Sequence, residues 1–360
     1  MMDKKYLLSL VTAGLLAGCG PMTESESEQA VTQAKRGEKV SWRMASTFPS
    51  SLIILGTMGK RLESTVNDLS GGDITFRFYE PSVLTPPFEI FDAVSYGAIE
   101  SGWSTSGYWA GKVPALQLFS SVPFGPGAAE YLSWYDYGGG RPIFEEIYAK
   151  HNIHGIICGI SPPEASGWFK KEINTIEDFN GLKIRFFGLG GKVLEKVGAS
   201  PQLLAGGDIF PALERGTIDA TEYASPAVDY AMGFYQAAKH YYFPGWHQQS
   251  TFFELMINLD KWNGLTLSQQ MQIESACSVN IRYSLSEGEA LQAEAMKNIK
   301  AKGVELHTWS PEVLAELEKA WLEVADELSE SDPEFKRAWA SLQAFRENYK
   351  PWADRGYLKD

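Results

Sequence analysis

The chain has 360 residues, and its 45 acidic side chains outnumber its 32 lysines and arginines, which gives a net charge of −13. This acidic balance argues against nucleic-acid binding, which needs basic patches that neutralise phosphates. Aromatic residues make up 13% of the chain, with 11 tryptophans, and this content can supply both a core and the walls of a ligand cleft.

The N-terminus predicts export and anchoring. Two lysines precede an apolar run at residues 6–16, which is too short to span a bilayer as a permanent helix. The run ends in LAGC at residues 16–19, which resembles the lipobox of bacterial lipoproteins. We therefore predict a signal peptide at 1–18, a lipidated Cys19 and a polar tether at 19–37, on the periplasmic face of a membrane. The alternative is an ordinary secretory signal with an incidental cysteine.

Strand-like and helical patterns alternate after the tether, which predicts an α/β fold with open, parallel-dominated sheets. The predicted strands cover residues 39–45, 74–79, 101–104, 153–159, 183–187, 220–223 and 253–258. The predicted helices cover residues 52–69, 88–96, 131–150 with an interruption at three glycines, 190–197, 208–215, 268–302 and 311–348. The ordered part exceeds one comfortable core, so we expect two domains.

Two cysteines remain besides Cys19, namely Cys158 and Cys277. They could pair in an oxidising compartment, but free cysteine also packs like a small apolar side chain. We predict two buried, unpaired thiols. The sequence contains no CxxC, no HExxH and no close cysteine–histidine spacing, so it does not predict a structural zinc site.

The stretch from Cys158 to His247 carries the strongest functional signal. The predicted strand LKIRFFG contains Arg185, whose planar guanidinium forms a fork that fits a carboxylate. The segment IDATEY follows further along and ends in an acid and an aromatic, Glu222 and Tyr223. This pattern predicts a site that holds a small carboxylate. The sequence shows no nucleophile and base in a recognisable order, so we predict no catalysis.

Further motifs are spread over nearly the whole chain after the tether: FDAVS at 91–95, WAGK at 109–112, PFG at 123–125, GGG at 138–140, GWF at 167–169, GLKIR at 181–185, ALE at 212–214, IDATE at 218–222 and PGWH at 244–247. Their order and spacing resemble the solute-binding proteins of TRAP (tripartite ATP-independent periplasmic) transporters, of the C4-dicarboxylate-binding, DctP-type class. Within that class the chain is most similar to the 2-oxo acid and lactate binders.

The resemblance implies a two-domain, periplasmic-binding-protein-like clamp with long C-terminal helices, which closes on its ligand. Domain I would comprise residues 38–160 and 245–285, domain II residues 161–244, and a helical region at 286–360 would pack across both. Such a protein captures a small organic acid, with a 2-oxo or 2-hydroxy monocarboxylate favoured, and delivers it to membrane permease subunits. It can also form a homodimer. The alternatives are a ligand-presenting sensor and an exported α/β enzyme.

The resemblance also implies the roles of site residues. Arg185 would grip the carboxylate, and a sodium or calcium ion bridging the ligand would be held by Glu164, Glu222 and the backbone carbonyl of Tyr223. Glu164 stands where glutamine is usual and Tyr223 where tryptophan is usual. A second carboxylate could hold a divalent cation more firmly, or it could meet an ammonium group on the substrate.

Trp168 and His247 complete the predicted ligand-binding set. Each has a structural alternative, since Trp168 could be core packing and His247 a buried histidine with a structural partner. Three further aromatic residues could line the cleft but are more often core, namely Trp103, Tyr108 and Phe124.

Overall fold

The computed structural model describes residues 37–358, so the predicted signal peptide, Cys19 and nearly all of the tether lie outside the described residues. Within this range the strands are β1 (Val40–Ser46), β2 (Ile74–Tyr79), β3 (Ser101–Ser104), β4 (Ile153–Ser161), β5 (Gly167–Phe169), β6 (Lys183–Arg185), β7 (Ser200–Gln202), β8 (Ala220–Thr221), β9 (His240–Phe243), β10 (Thr251–Asn258) and β11 (Glu305–Thr308). The α-helices are α1 (Leu55–Leu69), α2 (Ile90–Ser95), α3 (Ala128–Tyr137), α4 (Gly140–Ala149), α5 (Gly188–Lys196), α6 (Gly206–Arg215), α7 (Pro226–Met232), α8 (Leu259–Asn263), α9 (Leu267–Ala301), α10 (Pro311–Ser331) and α11 (Pro333–Gly356).

The strands form two mixed sheets. The first sheet has the order β2-β1-β3-β10-β4, and the second has the order β11-β9-β5-β8-β6-β7. In the first sheet β10 runs antiparallel to both β3 and β4, and in the second β5 runs antiparallel to β8 and β9. The α/β class is confirmed, and five of the nine strand pairings in residues 37–358 are parallel, so the predicted parallel majority is a narrow one. Strands that enter one sheet directly from the other, without a helical crossover, are free to pair antiparallel.

The chain passes between the sheets three times. Two of the connections, which we call the crossing segments, are short and run side by side, and the third runs from β10 through α8 and α9 to β11. Residues 162–166 lead from β4 to β5, and residues 244–250 lead from β9 to β10. The Glu164 N–H donates to the Gln248 carbonyl (3.1 Å), and the Gly245 N–H donates to the Glu164 carbonyl (3.0 Å). A Cβ on Gly245 would lie 2.2 Å from that carbonyl, so the approach requires glycine. Two short segments lying side by side are a place where two packed layers can hinge.

The long C-terminal helices contact the layers around both sheets. Helix α9 packs on β4 and α1 of the first layer and on α7 of the second, α10 packs on α5, and α11 packs on α3 and α4. The boundaries of the two domains stay a prediction. Among residues 37–358, no helix combines the length and the apolar character needed to cross a membrane.

The prediction of one continuous helix at 311–348 is wrong, because the chain breaks at Asp332. The Asp332 carboxylate accepts from the N–H groups of Glu334 (2.8 Å) and Phe335 (3.1 Å), and Pro333 occupies the first turn of α11. An acidic N-cap followed by proline is a typical helix start, and it ends α10 and begins α11.

The prediction of two unpaired thiols is also wrong. Cys158 of β4 and Cys277 of α9 form a disulfide, with Cα atoms 4.2 Å apart, across 119 residues of sequence. Helix α9 is held against β4 by two further contacts, since the Asn280 side chain donates to the Cys158 carbonyl (2.8 Å) and the Ile160 N–H donates to Ser284 Oγ (3.0 Å). The pairing results from this packing, which the spacing of the cysteines does not reveal, and it suits an oxidising compartment.

A buried acid, Glu254 of β10, lies between two neutral donors. Its carboxylate accepts from Trp109 Nε1 (2.9 Å) and from the hydroxyl of Tyr148 (2.6 Å). Burial raises the pKa of Glu254 from 4.5 to about 7, although both donors favour the ionised form.

This raised pKa predicts a pH-dependent stability. An acid whose pKa is higher in the folded state holds more protons when folded, so its contribution is lost as the pH rises from about 4.5 to about 7. The Glu254→Gln side chain has the same shape and cannot ionise. As the pH rises through that window, the free energy of unfolding of the variant should increase relative to that of the parent by about 3 kcal/mol. Urea unfolding at about pH 5 and about pH 8 measures the gain, with the exposed Glu177→Gln as control. An equal difference from the parent at both pH values contradicts the assignment.

Candidate functional site

A small cavity lies where the crossing segments meet the two sheets. Its volume is about 20 Å³, measured as the space that the centre of a water molecule can occupy. This is room for one or two water-sized groups. Residues of both sheets and of both crossing segments line it: Phe48, Leu55, Thr105, Tyr108, Glu164, Arg185, Phe187, Tyr223, Gln248, Thr251 and Phe253.

A buried ion pair between Arg185 and Glu222 forms one wall. Strands β6 and β8 are parallel, with Arg185 paired to Thr221, so the next residue brings its carboxylate beside the guanidinium. Arg185 Nη1 donates to Glu222 Oε2 (2.9 Å) and to the Glu222 carbonyl (2.5 Å). The Phe187 N–H donates to the same carboxylate oxygen (3.0 Å). Both side chains are almost completely buried, and these bonds fix the guanidinium as part of the cavity wall.

Two tyrosines face the guanidinium. The ring centroid of Tyr223 lies 5.2 Å from Arg185 Cζ, a distance suited to a cation–π contact. Burial raises the pKa of Tyr108 to about 12, with the charge of Arg185 opposing the shift, so the phenol stays neutral and can donate. These aromatic walls exclude water from the Arg185–Glu222 pair and strengthen any charge interaction inside the cavity.

A second cluster lies beside the first and has unpaired polar atoms. Ligand atoms of Glu164, Glu222 and His247 all lie within 4.8 Å of one another, and the three residues are buried. Glu164 Oε2, Glu222 Oε1 and both ring nitrogens of His247 have no hydrogen-bond partner among the described residues. His247 Nε2 lies 3.6 Å from Glu222 Oε1, too far for a hydrogen bond. Because buried polar atoms are normally satisfied, this group fits a cation held between them.

The two carboxylates differ in their proton affinity. Burial and the neighbouring acids Glu222 and Asp229 raise the pKa of Glu164 well above its usual range. Burial also acts to raise the pKa of Glu222, but Arg185 and His247 outweigh it, so the net direction is down. Two acids this close repel each other unless a proton or a cation lies between them. The pair can therefore accept either, and a cation would favour the ionised form of both.

The structure brings together five of the six predicted ligand-binding residues, which are Arg185, Glu164, Glu222, Tyr223 and His247. It places Trp168 elsewhere, outside the cavity lining, stacked on Tyr241 with ring centroids 4.0 Å apart.

Trp168 instead supports a buried acid next to the site. Its Nε1 donates to Asp229 Oδ2 (2.9 Å), which also accepts from the Tyr241 hydroxyl (2.9 Å). Burial raises the pKa of Asp229 to about 8. The core-packing alternative for Trp168 therefore describes its position.

Sequence reasoning missed the polar residues of the second crossing segment. Gln248 Nε2 donates to Thr251 Oγ1 (2.7 Å), which donates to Glu164 Oε1 (3.2 Å). The available signal was their position directly after PGWH in the sequence. Of the three aromatic residues considered for the cleft, Tyr108 lines the cavity, whereas Trp103 donates to the Leu55 carbonyl and Phe124 stacks on Trp246 outside the lining.

Comparison with known proteins explains this geometry. The family described as bacterial extracellular solute-binding protein, family 7, matches residues 44–332, a range that contains every residue lining the cavity. The chain belongs to this family. The family match and the similarity to a solved TRAP transporter solute-binding protein confirm the predicted resemblance.

Several relatives of this family 7 protein cover most of its length. The monocarboxylate 2-oxoacid-binding periplasmic protein of Nostoc sp. is 35% identical over 87% of this chain and 86% of its own. A TRAP transporter solute-binding protein from Bordetella bronchiseptica, with copurified calcium and picolinate, is 35% identical with a TM-score of 0.86, covering 88% of this chain and 94% of its own. One from Pseudoalteromonas atlantica, with bound sodium and pyruvate, is 32% identical with a TM-score of 0.85, covering 89% and 99%.

Proposed function

We propose that this solute-binding protein captures a 2-oxo or 2-hydroxy monocarboxylate in the periplasm and delivers it to the membrane permease subunits of a TRAP transporter. The observation that carries the proposal is the buried Arg185–Glu222 pair beside the unsatisfied atoms of Glu164 and His247, with Arg185 and Glu164 lining a small cavity. The relatives with bound pyruvate or picolinate together with sodium or calcium support the same ligand chemistry.

Each group has a definite role in this proposal. Arg185 binds the ligand carboxylate, because its guanidinium lines the cavity and is fixed by Glu222. Glu164 and Glu222 would hold a sodium or calcium ion, which would supply positive charge to the oxygens of a 2-oxo acid. The Tyr223 carbonyl is the further metal ligand that the family resemblance implies. His247 has the predicted ligand-binding role, since its Nε2 lies 3.6 Å from Glu222 Oε1 and is not engaged in a hydrogen bond.

The size of the cavity requires motion for a ligand to enter. A space of about 20 Å³ holds one or two water-sized groups, which is less than an organic acid needs. Even pyruvate needs the sheets to separate for entry, and we propose that the crossing segments are the hinge and that domains I and II have the boundaries predicted from sequence.

A ligand screen tests the proposal. Pyruvate, lactate, a C4-dicarboxylate and an amino acid are compared by thermal shift and calorimetry with calcium present. We expect the two monocarboxylates to raise the melting temperature by several degrees and the dicarboxylate to have little effect, because ligands that bind only the folded state stabilise it. Recovery of unchanged ligand distinguishes a receptor from the enzyme alternative. Stabilisation by the amino acid alone would contradict the monocarboxylate assignment and favour an ammonium group beside Glu164.

We also propose that Cys19 carries lipid, since LAGC follows the predicted signal peptide. Two acyl chains hold a protein stably at a membrane, whereas one gives marginal binding. Mass spectrometry of the N-terminal peptide from membrane fractions should find a diacylated Cys19 as first residue, and Cys19→Ser should move the protein to the soluble fraction. An unmodified N-terminus cut at another residue would contradict lipidation.

A further inference from the structure

Three polar side chains gather on one face at the edge of the second sheet, away from the residues of the carboxylate cavity. Strands β9 and β11 are parallel, with His240 paired to Glu305 and Tyr242 paired to His307. Paired residues, and residues two apart in one strand, share a face of a sheet. His240, Glu305 and His307 therefore lie together by register, and their ligand atoms are all within 4.8 Å of one another.

The distances among these three groups suit a single metal ion. His240 Nδ1 lies 3.0 Å from His307 Nε2, and Glu305 Oε2 lies 3.8 Å from each of these nitrogens. Metal–nitrogen distances of about 2.0–2.1 Å in a tetrahedral site put neighbouring ligand atoms roughly 3.4 Å apart. Small movements complete the fit, and the Glu305 side chain, which is 70% exposed, is free to make them.

The surroundings of His307 favour the ring orientation in which Nε2 faces the cluster. Its other ring nitrogen, Nδ1, points to Glu172, with 3.9 Å between Nδ1 and Oε1. Its ring stacks on Tyr242, with centroids 4.5 Å apart and planes at 12°. Metal-binding imidazoles usually direct their second nitrogen to a carboxylate in this way, because it orients the ring and increases its basicity.

We propose that His240, Glu305 and His307 bind a divalent transition-metal ion, with zinc as the reference ion and Glu172 as the orienting carboxylate. Two imidazoles and one carboxylate match the ligand preference of zinc, copper and nickel rather than that of calcium or magnesium. The ion joins β9 to the edge strand β11 and so stabilises the second sheet. The site is independent of the proposed organic-acid site and shares no residue with it.

Zinc titration of the metal-free full chain at about pH 8, where imidazoles are available as ligands, tests the site. We expect the parent to bind zinc. We expect His240→Gln and His307→Gln each to bind one equivalent of zinc fewer than the parent. His151→Gln is the matched control, because this histidine lies outside the cluster, and it should bind as the parent does. Glu172→Gln should weaken zinc binding about tenfold.

Two further readouts separate binding from folding. The melting temperatures of the metal-free variants should match the metal-free parent, and zinc should raise the parent's by several degrees and those of the two histidine variants by less. Copper should broaden the NMR signals of the His240 and His307 rings before those of His151. The proposal is overturned if the parent binds no zinc, or if His240→Gln and His307→Gln take up as much as the parent.

Discussion

Replacing Arg185 with alanine is expected to abolish pyruvate binding. Truncating one partner of a buried charge pair commonly costs about 2–5 kcal/mol, so the affinity should fall by roughly two to three decades or more. The structure adds a second effect, because Arg185 is also the buried partner of Glu222. An uncompensated buried carboxylate destabilises a protein by about 3–5 kcal/mol, and the alanine variant should therefore unfold at a lower urea concentration.

A matched variant separates these two effects. Arg185→Lys retains a positive charge for Glu222 but lacks the planar fork, so it should fold and still bind pyruvate poorly. Arg215→Ala, at the exposed end of α6, removes an arginine outside the cavity lining and should bind as the parent does. Calorimetry on folded protein measures all three. Parent-like affinity in Arg185→Lys or in Arg185→Ala would exclude Arg185 as the carboxylate-binding residue.

Removing the metal is the change with the next largest expected effect. Without a cation, the ligand anion meets the Glu222 carboxylate with no ion to balance the two charges, so a chelator should weaken pyruvate binding by at least about tenfold. Glu222→Gln should have a similar effect because it removes a metal ligand. Calorimetry with and without chelator measures both changes, with the surface Glu195→Gln as control. Unchanged affinity with chelator and in Glu222→Gln would exclude a metal bridge.

The charge of Glu164 also predicts which ion is preferred. With calcium, the charges of Arg185, Glu164, Glu222, the ion and a monocarboxylate sum to zero. Glu164→Gln removes one negative charge, and sodium then gives the same balance. We therefore expect the parent to favour calcium and Glu164→Gln to favour sodium, measured as pyruvate affinity in each salt. An identical ion preference in the two proteins would mean that Glu164 does not contact the ion.

The sequence predicted the carboxylate site better than the fold around it. Arg185 and Glu222 lie on short segments that become neighbouring parallel strands, so their proximity follows from local pattern and strand order. The disulfide and the residue pair Gln248 and Thr251 depend on tertiary packing, which periodicity does not encode. The break at Asp332 is local, and the Asp-Pro pair signals it in the sequence, but the uninterrupted helical periodicity on both sides masked it. Strands β9 and β11 have four residues each, too few for an alternating pattern to stand out, and the histidine pair they carry was missed with them.

The Cys158–Cys277 bond determines which contacts a hinge motion can break. Because it ties α9 covalently to β4, this part of the long helix stays with the first sheet, while residues 302–304 lead from its C-terminal end into β11 of the second sheet. Its far half also touches the second layer through Gln292, which accepts from the Ala227 N–H (3.0 Å) and donates to Ser225 Oγ (3.2 Å). Opening at the crossing segments would pull on the helix between these two attachments, so the Gln292 contacts are expected to change when the receptor opens.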